Sequence, residues 1–190
     1  MATTTVDIKF DKAKLLGIQK MLRDVPGAMP KVMSSAINRT IQSAKTETGR
    51  RISRIINITQ AAVKKKILMT KATRSRWSAK LAIGPKRFAL AHFKAKQTKK
   101  GVTYKIEKTG ARKRIPSAFI RSPSGVPVVF RRETPQTKRK PIIALKGPSL
   151  GAVFEGASGI AREVVKASHK NLTKNIDAKV KYILDKRITG

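Results

Sequence analysis

Apolar positions recur with a helical rhythm at both ends of the chain and with a two-residue alternation in its middle. Leu15, Leu16, Ile18 and Leu22 repeat at helical spacing between Asp11 and Leu22, and Val25-Pro26-Gly27 breaks the run, which predicts a short first helix. Pro30 suits a first helical turn. Beyond it Val32, Met33, Ala36, Ile37, Ile41, Ala44 and Thr48 mark one face while Arg39, Lys45, Arg50 and Arg51 fall outside it, predicting a second helix to about Ile56. Thr59 is placed to N-cap a short third helix over Gln60 to Leu68, with a basic flank at Lys64, Lys65 and Lys66.

The period then changes. Trp77, Ala79, Leu81 and Ile83 alternate with Ser78, Lys80 and Ala82, as in a strand with one buried face, and Gly84-Pro85 ends it. Val102, Tyr104 and Ile106 alternate with Thr103, Lys105 and Glu107 in the same way, followed by a Thr109-Gly110 turn. Ser117 to Ile120 and Val126 to Arg132 flank a Ser122-Pro123-Ser124-Gly125 turn and read as a hairpin. A polar linker, Glu133 to Lys140, leads to a last short strand, Pro141 to Leu145; Pro127 and Pro141 set strand starts or mark edges.

From Pro148 onward Leu150, Val153, Phe154, Ala157, Ile160, Ala161, Val164, Leu172, Ile176, Val180, Ile183 and Leu184 fall on one stripe. Unbroken, such a helix runs about 35 residues and roughly 50 Å. It can hide its whole stripe only against another long helix or another subunit, and the N-terminal helices can cover part of it. Gly151, Gly156 and Gly159 weaken its start, so that end is expected to bend or to fold on docking. The architecture expected is α+β: N-terminal helices and a long C-terminal helix packed around a small, mostly antiparallel β-sheet. The segments are 1–70, 71–147 and 148–190, read as one composite domain, with Gly147-Pro148 turning the chain from the last strand into the long helix.

Charge changes the picture most. The chain has 44 Lys and Arg against 10 Asp and Glu, a formal net charge of +34, and aromatics make up only 5%. Self-repulsion of that size disfavours an isolated compact monomer in low salt, and a polyanionic partner is the common reason for it. A nucleic acid is the first reading; a solvated basic surface, or one facing an acidic protein, stays open. There is no cysteine, hence no disulfide and no thiolate metal site. Met1 to Lys9 has no signal-peptide pattern and no run of eighteen apolar residues occurs, so the expected site of synthesis is a cytosol, without membrane insertion. Asn-x-Thr triplets at Asn38, Asn57 and Asn171 are read as chance.

The residues offer little for catalysis. His92 and His169 stand in different elements without metal-ligand spacing, and the carboxylates are scattered with no close pair, which disfavours a two-metal nuclease. Lys146-Gly147-Pro148-Ser149 has the wrong order for a phosphate loop. No cofactor and no catalytic residue is expected. Cations instead form runs: Lys64, Lys65 and Lys66; Lys71, Arg74 and Arg76; Lys94, Lys96, Lys99 and Lys100; Arg112, Lys113 and Arg114; Arg131 and Arg132; Lys138, Arg139 and Lys140. Placed at turns and strand ends with few aromatics, they favour phosphate contact with a duplex over base stacking. The candidate nucleic-acid-binding residues are Lys64, Lys65, Lys66, Arg74, Arg76, Arg112, Lys113, Arg114, Arg131, Arg132, Lys138, Arg139 and Lys140.

Several segments in order carry a resemblance: Ala36 to Thr40, Ala62 to Ile67, Arg87 to Phe93, Ile115 to Ile120, Val129 to Arg132 and Lys140 to Ser149. Together, over residues 15–155, the chain resembles the prophage minor tail protein Z family, and its C-terminal helix fits by length and position. The resemblance implies a structural virion protein of a long-tailed bacteriophage, a tail-completion or neck component at the head-proximal end of the tail. It implies a homo-oligomeric ring contacting the tail terminator, connector and tail tube, with double-stranded DNA touched through phosphates. It carries no catalytic residues. The alternative of another class is a free, sequence-nonspecific nucleic-acid binder, ribosome- or nucleoid-associated.

Overall fold

The computed structural model describes residues 4–7, 12–132, 141–156 and 159–188. In chain order these form β1 (Thr4–Asp7), α1 (Lys12–Met21), α2 (Ala28–Ile55), α3 (Gln60–Lys65), β2 (Ile67–Thr70), β3 (Lys80–Ile83) and β4 (Arg87–Ala89). A single 3-10 turn (Leu90–His92) leads to β5 (Lys96–Thr98), β6 (Gly101–Tyr104), β7 (Lys113–Ile115), β8 (Ala118–Arg121) and β9 (Val128–Arg132). Then come β10 (Ile142–Ala144), β11 (Lys146–Ser149), α4 (Leu150–Glu155) and α5 (Ile160–Ile188). The fold is α+β.

The backbone of the molecule is a pair of long helices. Ala36, Ile37, Ile41, Ala44 and Ile52 on α2, and Ile160, Val164, Leu172, Ile176 and Val180 on α5, are all buried. Asn175 Nδ2 donates to Thr40 Oγ1 at 2.9 Å, and Arg51 pairs with Glu163 further along. Rising numbers on α2 therefore meet falling numbers on α5, so the helices lie antiparallel. With 28 and 29 residues they match in length. The stripe expected on the C-terminal helix is thus covered by α2 of the same chain, and this stripe by itself demands no second subunit. Ser168, buried within it, satisfies its hydroxyl on the Val164 carbonyl at 2.7 Å.

The C-terminal stripe is not one helix. α4 ends at Glu155 with Gly156 extended, and Gly159 at φ 62 sets the entry to α5. Glycine, lacking a Cβ, adopts that left-handed conformation at no steric cost. Gly147 and Pro148 also differ from expectation: both lie inside β11, which pairs with β4 through an irregular register. The helix is instead started by Ser149, whose hydroxyl accepts from Ala152 N at 3.2 Å. Thr59 caps α3 as predicted, accepting from Ala62 N. Ile67 and Leu68, expected as the end of that helix, open β2.

Among the described residues the expected single sheet is four small antiparallel ones, ordered β1-β3-β2, β5-β6-β7, β10-β9-β8 and β4-β11. Strands of three to five residues separated by Gly and Pro turns cannot extend one continuous ladder. In the first sheet Ile67 pairs with Ile83 and Met69 with Leu81. Ile67, Leu81 and Ile83 are buried, in one hydrophobic cluster with the α2 stripe. Phe93, fully buried, and Phe154 extend that cluster. The polar linker Glu133 to Lys140 lies outside the described residues.

Two asparagines tie the helical half to the strands. Asn38 on α2 donates to the Ala72 carbonyl at 3.0 Å and accepts from Ala72 N at 2.8 Å, pairing with that residue as a strand would. Asn57, just past α2, donates from Nδ2 to the carbonyls of Lys105 and Glu107 at 3.0 and 3.3 Å, while its own N–H meets the Ile106 carbonyl at 2.8 Å. Asn57→Ala strips those carbonyls of their side-chain donor, and we expect a loss of about 1–3 kcal/mol in urea denaturation. Asn57→Asp should fare no better, because an ionised carboxylate only accepts. An unchanged midpoint for both variants would show that the clamp contributes nothing.

Thr48, on the buried stripe of α2, has the opposite defect. Its Oγ1 is buried and has no hydrogen-bond partner among the described residues. Thr48→Val removes the orphaned hydroxyl at nearly constant shape, so stability should rise by about 1 kcal/mol with an unchanged denaturant slope. A fall in the urea midpoint would contradict this account.

Candidate nucleic-acid interface

The β5-β6-β7 sheet sorts its side chains by the pleat. Lys96 stands opposite Thr103, and Thr103 opposite Arg114, so the three share one face. Gln97, Val102 and Ile115 share the other face, and Val102 is fully buried. The Lys96–Thr103–Arg114 row therefore points outward, with both cations exposed.

Arg112 joins this row by a specific set of bonds. Its guanidinium donates from both Nη atoms to the Lys94 carbonyl at 3.0 Å and from Nη1 to Thr103 Oγ1 at 3.0 Å. A planar guanidinium held this way has its orientation fixed before any ligand arrives. Lys94 itself takes a left-handed φ of 50, and Lys99 and Lys100 form the tip of the β5–β6 hairpin. Gly101, at φ 125, closes that tip: a Cβ there would lie 2.2 Å from the Ile115 carbonyl oxygen, so only glycine lets β7 approach. Six cations, Lys94, Lys96, Lys99, Lys100, Arg112 and Arg114, thus gather on one small sheet and its tip.

The electrostatic setting is one-sided. Between Glu47 and Glu133 the only carboxylate in the sequence is Glu107. Glu47 is bound to Arg50 at 3.4 Å and Arg51 at 2.8 Å, and Glu163 to Arg51, so these acids serve the helix pair. Next to the sheet an open groove of about 460 Å³ is lined by Ser53, Thr59, Gln60, His92, Lys94 and Lys108. Hydroxyl, amide and ammonium donors converge there without a carboxylate, a donor set that matches phosphate oxygens.

The remaining residues predicted from the sequence are dispersed. Lys64, Lys65 and Lys66 end α3, with the Lys64 stem beside Gly49 and Lys66 Nζ 5.0 Å from the Phe88 ring centroid. Arg74 and Arg76 are exposed in a tight turn after β2, where Trp77 Nε1 donates to the Arg74 carbonyl at 2.8 Å. Lys113 pairs with Tyr104 and so falls on the face opposite Arg112 and Arg114. Arg131 and Arg132 end β9 in another sheet. Lys138, Arg139 and Lys140 lie outside the described residues. Lys94, Lys96, Lys99 and Lys100, one run among several in the sequence, are the ones the fold unites with Arg112 and Arg114. The polar alternation out of phase with Val102 and Ile115 is the signal that marks them.

Among the described residues no group of His, Asp or Glu could hold a metal ion, and no helix is long and apolar enough to cross a membrane. Neither the curated proteins nor the solved structures give a match to the chain. The family model described as Prophage minor tail protein Z (GPZ) matches residues 18–189. That match runs from α1 through α5, including the C-terminal helix that fits the resemblance by length and position alone. With nearly the whole chain covered, the protein belongs to the prophage minor tail protein Z family and is a bacteriophage tail protein.

Proposed function

We propose that the protein is a tail-completion component at the head-proximal end of the tail or in the neck, present as a ring of several copies. In this reading the outward face of β5-β6-β7 meets the phosphates of double-stranded DNA, and other surfaces meet the tail terminator, connector and tail tube. The observation that carries the DNA contact is the Arg112 guanidinium, preset by the Lys94 carbonyl within a cluster of lysines and arginines beside a groove whose described lining residues include no carboxylate. Phosphate contact rather than base reading fits because the row presents ammonium, guanidinium and hydroxyl groups and no aromatic ring. The ring is supported by the axial symmetry of a tail, for which heterologous closed contacts are the natural geometry. The role is structural, with no reaction assigned to any residue.

The DNA contact is tested by fluorescence anisotropy on a random-sequence duplex across salt concentrations. Each phosphate neutralised contributes about −0.9 to the log–log slope, so Lys96→Glu/Arg112→Glu/Arg114→Glu should flatten it by about 2.7. An unchanged slope would remove this face from the proposal. Cryo-electron microscopy of intact particles tests the ring, expected between head and tail tube. A protein missing from purified particles but bound tightly to naked nucleic acid would favour the free nucleic-acid binder instead.

A further inference from the structure

A second surface of different chemistry lies on the β10-β9-β8 sheet. Phe119 stands opposite Phe130, and Phe130 opposite Ala144; two positions along, Arg121 faces Val128 and Arg132 faces Ile142. These residues share one face. Ala118 and Val129, on the alternate face, are buried, so the Phe119–Phe130 face points outward. The two rings stack with centroids 5.9 Å apart, and Ile142 beside them is 51% exposed. They floor an open groove of about 620 Å³ whose rim includes Arg121, Ser122, Pro123 and Arg132.

We propose that this groove docks an extended segment of a different protein, with an apolar side chain flanked by two carboxylates. Arg121 and Arg132 stand at opposite ends of the face with the phenylalanine pair between them. From Val128, opposite Arg121, to Arg132 is four residues of β9, roughly 13 Å. A strand laid along the face matches this with a carboxylate at one position, an apolar residue two further on and a second carboxylate two beyond that. Paired carboxylate–guanidinium bonds then fix the register while the floor takes the apolar side chain.

Charge decides against the other occupants. A second copy would bring another +34 to an arginine rim. Residues 133–140, which join β9 to β10, carry Lys138, Arg139 and Lys140 against Glu133, the same sign as the rim. Duplex phosphates would lose contact with water over an apolar floor that offers them no donor. This inference does not depend on the DNA contact at β5-β6-β7.

The test uses the full chain and a fluorescent peptide, Thr-Glu-Thr-Leu-Thr-Glu-Thr, with two controls: lysine in place of glutamate, and serine in place of leucine. We expect the acidic-apolar peptide to bind at least tenfold tighter than either control. Arg121→Glu, at an exposed position, should lose tenfold and regain it with a peptide carrying lysine at the matching glutamate. Ile142→Asp should weaken the original peptide similarly. Equal binding of the serine control, or no charge-swap recovery, would overturn the proposal as mere attraction to a basic protein. Competition by oligo(dT) that Ile142→Asp abolishes would replace the peptide with single-stranded nucleic acid. A concentration-dependent dimer lost in Arg121→Glu would replace it with a second copy.

Discussion

Gly147→Ala is expected to destabilise the protein by roughly 3 kcal/mol, at the upper end of what overpacking a core costs. A Cβ at Gly147 would sit 2.2 Å from Phe93 Cε2 and 2.6 Å from Cζ. The ring has little room to retreat: Phe93 is fully buried, its N–H bonds to the Leu90 carbonyl at 3.1 Å, and its carbonyl accepts from Lys105 N at 2.9 Å. The absent side chain at this position is therefore a packing requirement. Urea denaturation measures the loss. In the Phe93→Leu background, which removes the ring, the same glycine substitution should cost less, and that difference is the coupling energy. A Gly147→Ala midpoint within error of the parent protein would show that the strand shifts freely. The effect should reach the basic face too, since Lys94 follows Phe93 directly and its carbonyl orients Arg112. Weaker duplex binding by Gly147→Ala, without any change in charge, is the functional corollary.

Phe154→Ala should cost about 3–5 kcal/mol, the range for deleting a buried aromatic side chain. α4 has only six residues, far too few to be helical alone. It is held by its Ser149 cap and by Leu150 and Phe154, both buried in the cluster that includes α2 and α5. Removing the ring takes away the largest part of that anchorage, and the strand β11 immediately before α4 loses its support. Hydrogen exchange should therefore show the amides of residues 150–156 losing protection first, ahead of those in α2 and α5. Uniform loss across all three helices would mean instead that α4 opens only with the whole domain.

The two effects bear on how the protein meets its neighbours. The helix pair closes on itself through Asn175–Thr40 and Arg51–Glu163, leaving the small sheets at the surface. Two of these sheets present contrasting faces, one of cations and hydroxyls around Arg112, the other apolar with arginine ends around Phe119 and Phe130. A tail protein that touches both DNA and protein would use such a division. Phosphates demand dispersed positive charge. A protein segment demands a dry floor with few directional bonds.

Much of this is legible in the order of the residues. The periodicity of Val32 to Thr48 and of Ile160 to Val180 is strong because a long helix repeats its buried face many times. The Thr59 cap and the strand at Leu81 and Ile83 follow from local rules in the same way. The charge of +34 is a property of composition, and with it came the expectation of a polyanionic partner. Other features depend on residues far apart in the chain. Strands such as β4, β5 and β11, three or four residues long, complete at most two periods and have no rhythm to detect. Asn38 and Asn57 read as chance triplets because their partners, Ala72, Lys105 and Glu107, are strangers in sequence. Covering α5 with α2 and gathering Lys96 with Arg114 are likewise decisions of tertiary structure, whereas the end of α4 at Glu155 and the fresh start of α5 at Ile160 follow the glycines that were expected to bend the stripe there. Local propensity and charge act between neighbours and so are written in order along the chain, whereas pairing and close packing depend on which distant segments meet.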